Sequence, residues 1–126
     1  MKKELLILVI LMAMALVTPV AQARASMEPG AARVQGLINY SDSAFSKKVI
    51  FQGPGYTVLL FAFQQGQQLK PHTIDVDAFV HILEGTATVV IDGGKQQVTA
   101  GEMIILPKGL SHALSAPQDF KMLLVK

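Results

Sequence analysis

The chain has 126 residues and no cysteine, with eleven Lys and Arg against nine Asp and Glu. That length allows one domain with one core, and the missing cysteine excludes a disulfide framework and a thiol nucleophile. The basic excess belongs to the N-terminus. Lys2, Lys3 and Arg24 supply three of the basic residues and Glu4 one of the acids, which leaves eight of each from Ser26 onward. A balanced chain carries no electrostatic footprint for nucleic acid or an anionic membrane as partner.

Lys2 and Lys3 precede an unbroken apolar run from Leu5 to Val17, and small residues follow in Val20-Ala-Gln-Ala-Arg-Ala25. This is the layout of a secretory signal peptide over residues 1–25, with cleavage expected after Ala23 or Ala25. The run is 13 residues long, short of the ~20 that span a bilayer. No cysteine follows it to carry a lipid. The expectation is an exported, by default periplasmic, protein without a stable membrane anchor.

Residues 26–48 read as a mixed N-terminal arm, with Pro29-Gly30, Gly36 and Ser41-Asp42-Ser43, and at most one short strand near Arg33 to Tyr40. From Val49 the texture changes to short apolar runs separated by turn signals. Strands are predicted at Val49–Gln52, Tyr56–Phe63, Asp77–Leu83, Thr86–Ile91, Gln96–Thr99, Met103–Leu106, His112–Ser115 and Phe120–Val125. Such spacing predicts an all-β sandwich or barrel over residues 49–126. Asp92-Gly93, between two β-rich runs, is the strongest hairpin signal. Further on, Pro107-Lys108-Gly109 predicts a sharp turn, because Pro pre-sets φ and Gly accepts positive φ. A strand returning from that turn is expected to carry His112 beside the strand before it.

Gly101-x5-Pro107-x-Gly109-x2-His112 resembles the second conserved motif of the cupin superfamily. The first motif of that family, Gly-x5-His-x-His-x3-Glu-x6-Gly, finds Gly66, His72 and Gly85 here, but Ile74 stands at the second histidine position and Ala78 at the glutamate position. A family asparagine past the second motif falls on Ala116. The resemblance covers about residues 56 to 126 and implies a double-stranded β-helix, or jelly-roll, barrel. In cupins that hold a metal, two histidines and a glutamate of the first motif join the histidine of the second. Only His72 and His112 remain here, and divalent iron, manganese or nickel generally needs three or four N/O ligands.

Strand alternation predicts that Ala78, Val80 and Ile82 point inward, and that Asp77, Phe79, His81 and Leu83 point outward. His81 is thereby a poor ligand candidate, whereas a bulge could swing Asp77 over the barrel mouth as a third ligand. The candidate pocket residues are His72, Ile74, Ala78, Val80 and His112. The outward Phe79 and Leu83 require cover, from the N-terminal arm or from a second subunit, and a symmetric homodimer is expected.

Three functions stay open. The first is a small-molecule binding domain without a tightly held metal, in which the two histidines orient an apolar ligand and burial lowers imidazole basicity. The second is a metal-dependent oxygenase or isomerase of the cupin kind, with Fe, Mn, Ni or Zn on His72, His112 and Asp77 or water. The third is a non-catalytic interaction module. No Ser/His/Asp arrangement, phosphate loop or nucleic-acid patch is apparent in the sequence.

Overall fold

A computed structural model describes residues 30–126, so the expected signal peptide and its cleavage sites lie outside the described residues. Nine strands follow one another: β1 (Ser46–Gly53), β2 (Tyr56–Phe63), β3 (Gln68–His72), β4 (Ala78–Glu84), β5 (Thr86–Ile91), β6 (Gly94–Thr99), β7 (Met103–Leu106), β8 (His112–Ser115) and β9 (Phe120–Val125). They form a five-stranded sheet in the order β1-β2-β9-β4-β7 and a four-stranded sheet in the order β3-β8-β5-β6. All strand pairs are antiparallel. This is the two-sheet jelly-roll solution to closing an all-β core.

Alternation along the strands supplies the core. Ala78, Val80 and Ile82 of β4 are fully buried, while Phe79 on the opposite face is 37% exposed. Inward residues of both sheets merge into one apolar cluster that includes Leu59, Phe63, Val89, Leu114, Phe120 and Met122. At its centre Phe63 and Phe120 face each other across β2 and β9. Their rings stack at 4.7 Å, and Phe45 stacks on Phe63 at the same distance. Each such aromatic pair adds about 0.5–1.5 kcal/mol beyond the area it buries.

Two turns obey the sequence signals and one connection does not. Asp92 and Gly93 both take positive φ, 48° and 83°, between the paired ends Ile91 and Gly94. That is the type I′ geometry that Asp-Gly favours. Pro107 to Leu110 also forms the expected turn, closed by the Leu110 N–H on the Pro107 carbonyl at 3.3 Å. It does not return the chain beside β7, however. β7 pairs with β4 in one sheet, whereas β8 pairs with β3 and β5 in the other. The turn is therefore a corner between sheets, and His112 enters the barrel opposite the first-motif segment.

Two further differences from the sequence reading have plain causes. β3 was not among the expected strands, because Gln-Leu-Lys-Pro-His offers one apolar residue and contains a proline. It lies at the edge of its sheet, where a missing donor is tolerated. The strand expected near Arg33 to Tyr40 is instead a 3₁₀ turn at Val34–Leu37, and β1 begins at Ser46, within the arm.

The arm lies on the outer face of the larger sheet. Val34, Ile38 and Tyr40 pack there with Leu60, Ala62, Leu83 and Leu123. A polar clamp holds it in place. Lys121 Nζ donates to the Gln35 carbonyl, sits 3.7 Å from Glu84 Oε1 and lies 5.0 Å over the Tyr40 ring, whose hydroxyl donates to Glu84 Oε2. Burial, then the Glu84 hydrogen bond and the Glu84 and Asp119 charges, push the Tyr40 phenol well up, so it remains a donor. Leu83 is thus covered by the arm, and Phe79 is not.

Gly85 follows β4 at φ 75° in a close approach to the chain before β9, where an added Cβ would run into the Asp119 carbonyl. Gly101 has a similar φ of 88° but open space around it. Gly85→Ala is expected to cost about 3 kcal/mol or more, against about 1–2 kcal/mol of backbone strain alone for Gly101→Ala. Urea unfolding of the two variants checks this, and equal losses would refute the close-approach argument.

Candidate functional site at the barrel mouth

β3 would point His72 to solvent if it were regular, because Leu69 faces inward and His72 is three residues on. Its register with β8 runs Gln68 to Ser115 and Leu69 to Leu114, then shifts so that His72 pairs with His112. The extra residue forms a bulge at Lys70–Pro71, which reverses the alternation and turns His72 to the side of Leu69. The two imidazoles meet edge to face, with ring centroids 4.4 Å apart. His72 Nδ1 lies 3.1 Å from the Lys70 carbonyl; this bond requires the proton on Nδ1 and leaves the Nε2 lone pair free.

The corner that delivers His112 is fastened to the β3–β4 loop. The Gly109 N–H donates to the Ile74 carbonyl at 2.9 Å, and the Lys108 N–H donates to Asp77 Oδ1 at 2.8 Å. An exposed Lys108–Asp75 pair at 3.5 Å adds little. Asp77 therefore secures the corner, and the structure does not bring it to the histidines as a third ligand. Among the described residues no three His, Asp or Glu side chains converge as a metal-binding group.

His72, Ile74 and His112 line a cavity of 130 Å³ between the sheets. Ala78 and Val80 are buried but do not line it. Ala78 pairs with Leu106 of β7, and the larger leucine lines the cavity in its place. The remaining wall includes Phe61, Leu69, Leu114 and Met122, with Lys47 and Lys126 also part of the lining. The lysines carried no motif signal; the register of Lys47 opposite inward-facing Phe61 is what directs it there.

The two histidines differ. His72 is exposed, against the burial expected of it. His112 is 2% exposed, and its Nδ1 is buried without a hydrogen-bond partner. Burial first and the adjacent His72 second lower the pKa of His112 below the ordinary value of 6.5, opposed by the Leu110 backbone. His81 sits half-buried on the outer face, opposite Leu123 and Met103, and takes no part in the site.

The residues of this barrel match the cupin domain model over residues 59–126. The chain belongs to the cupin family. Its fold is similar to a conserved protein of unknown function from Streptococcus pyogenes, 28% identical, with 78% of this chain and 86% of that one aligned at a TM-score of 0.72. It is also similar to a cupin superfamily protein from Desulfitobacterium hafniense DCB-2, at 21% identity, 79% and 91% coverage and a TM-score of 0.73. A cupin 2 conserved barrel domain protein from Leptotrichia buccalis is 29% identical over 72% of this chain and 44% of that protein, at a TM-score of 0.68. Among curated proteins, the acetate kinase EutQ of Clostridioides difficile (strain 630) is 32% identical over 53 residues. That match spans 42% of this chain and about a third, 34%, of the relative.

Metals are common in cupins, and the donor set here can be judged on its own chemistry. The donors are two imidazoles, and the wall they share has no Asp or Glu side chain. Ile74 and Ala78 stand where the family's second histidine and glutamate would be. This set does not fit a centre of three or four protein ligands.

The lowered pKa of His112 has a consequence for stability. Below the ordinary imidazole value of 6.5, the unfolded chain binds a proton that the folded chain resists, so the folded state loses stability as the pH falls through this window. His112→Gln is expected to remove that component. Urea midpoints from about pH 7.5 to about pH 5 check it, and parallel wild-type and variant curves would contradict it.

Proposed function

We propose that this cupin is an exported binding protein that takes a small molecule into the barrel cavity without a tightly held metal. The observation that carries this reading is a cavity lined mainly by apolar side chains, to which His112 contributes with its buried Nδ1 lacking a hydrogen-bond partner. Leaving such a group unsatisfied costs about 1–3 kcal/mol, and a ligand with one well-placed polar atom removes that cost. Binding sites of this kind combine an apolar lining with a few convergent polar groups. Residues 1–25 support export by their sequence pattern, with the periplasm as destination.

Toluene is expected to raise the melting temperature of the protein, and Leu114→Trp, which fills the cavity, to abolish that rise. Mass spectrometry of protein purified without an affinity tag is expected to show substoichiometric metal. Stoichiometric iron, manganese, nickel or zinc, lost in both His72→Ala and His112→Ala, would overturn the reading in favour of a metal-dependent enzyme. No stabilisation by toluene or by a ring of the same size with a polar head, such as benzamide or benzoate, would favour an interaction module.

We also propose that the protein pairs with a second copy through the uncovered part of the larger sheet. The register aligns Phe51, Val58, Val125, Phe79 and Ile105 in one row across all five strands. Phe51, Phe79 and Ile105 are 52%, 37% and 43% exposed, and the row contains no charge. A two-fold axis across such a row covers it with its own copy. Sedimentation equilibrium is expected to give a dimer for the wild type and a monomer for Phe79→Glu. A wild-type monomer at micromolar concentration would sink the proposal.

A further inference from the structure

The binding reading leaves the ligand's chemistry open, and three features of the same cavity narrow it. The first is size. A volume of 130 Å³ is close to the dry cavity of about 150 Å³ that accepts benzene. It holds one ring or a short branched chain, and it is too small for a sugar phosphate or a nucleotide.

The second is the lining. Phe61, Leu69, Leu114 and Met122 offer the hydrocarbon part of a ligand no polar partner. A polyhydroxylated molecule would bury unpaired oxygens against them at a cost of about 1–3 kcal/mol each. The ligand is therefore apolar over most of its surface, with its polar atoms gathered at one end.

The third is charge. The titratable side chains on the lining are Lys47 from β1, His72 from β3, His112 from β8 and Lys126, and no Asp or Glu side chain is among them. Lys47 has no ion-pair partner among the described residues. Its Nζ lies 5.9 Å over the ring of Phe61, itself a wall residue, so the ammonium stands at the edge of the apolar space. His112 lines the same cavity, and its buried Nδ1 has no hydrogen-bond partner. An unpaired cation and an orphaned ring nitrogen, next to an apolar slot without an Asp or Glu side chain, are complementary to one anionic head on a hydrocarbon body.

We infer that the cavity takes a small apolar monocarboxylate, with its ring or branched chain between the sheets and its carboxylate held between Lys47 and His112. This rests on the binding reading above and adds the charge of the ligand to it. A neutral ligand of the same shape fits the walls equally well, so the contrast between the two forms is the test.

Benzoate and benzamide have the same outline and differ in charge, and toluene lacks the polar head. Calorimetric titration of the protein at low salt is expected to show benzoate binding about tenfold more tightly than benzamide, the worth of one charge-assisted contact. Lys47→Met, which keeps the stem over Phe61, is expected to erase that preference. Lys47→Arg is expected to retain it, which separates loss of charge from loss of packing. Equal affinity for benzoate and benzamide, or a preference that survives in Lys47→Met, would overturn the carboxylate assignment and leave the binding reading standing. Failure of benzoate, benzamide and toluene alike would overturn both.

Discussion

The bulge at Lys70–Pro71 is the constraint on which the site depends. Without it, alternation in β3 would send His72 to solvent, and the second-motif histidine would face an aliphatic wall alone. Pro71 cannot donate a backbone hydrogen bond, so an edge strand is where its misfit is least costly. One extra residue therefore adapts the sheet to the proline and brings the histidine beside His112 at the barrel mouth.

The partner of that bulge is the corner after β7, which carries the chain from one sheet to the other. Its position is fixed by backbone donors at Lys108 and Gly109 reaching Asp77 and the Ile74 carbonyl. Ile74 thus has two roles: its carbonyl anchors the corner and its side chain lines the cavity. Asp77 is used for structure at the position where a ligand role was conceivable. A carboxylate that accepts a backbone N–H at a corner resists being redirected, since releasing it frees the turn that places His112.

The architecture was legible in the sequence because its signals are local. Alternation in β4, Asp92-Gly93 and the Pro107-x-Gly109 turn each state their geometry within a few residues. β3 was not legible, since strand patterning needs several apolar residues and Gln68–His72 has one. The connection from β7 to β8 failed for a different reason. A turn signal says that the chain reverses, and only the pairing of both flanking strands says whether it returns to the same sheet. In the site, spacing identified His72 and His112, but not that Leu106 would take the place of Ala78 or that Lys47 would stand at the rim. Both follow from cross-strand register, which a single sequence does not specify for distant strands.

The loss of donors at Ile74 and Ala78 and the retention of two histidines are therefore coupled through the packing. With a carboxylate at position 78, the wall beside Leu106 would carry a charge that required a partner in a buried environment. With alanine there, the wall remains apolar, and the neutral form of His112 is favoured by the same burial that leaves its Nδ1 without a partner. The polar demand of the cavity is concentrated at its mouth, where His72 and Lys47 are exposed. A barrel arranged in this way orients a ligand from one end and surrounds it with hydrocarbon at the other, which suits recognition of a molecule with a single polar terminus.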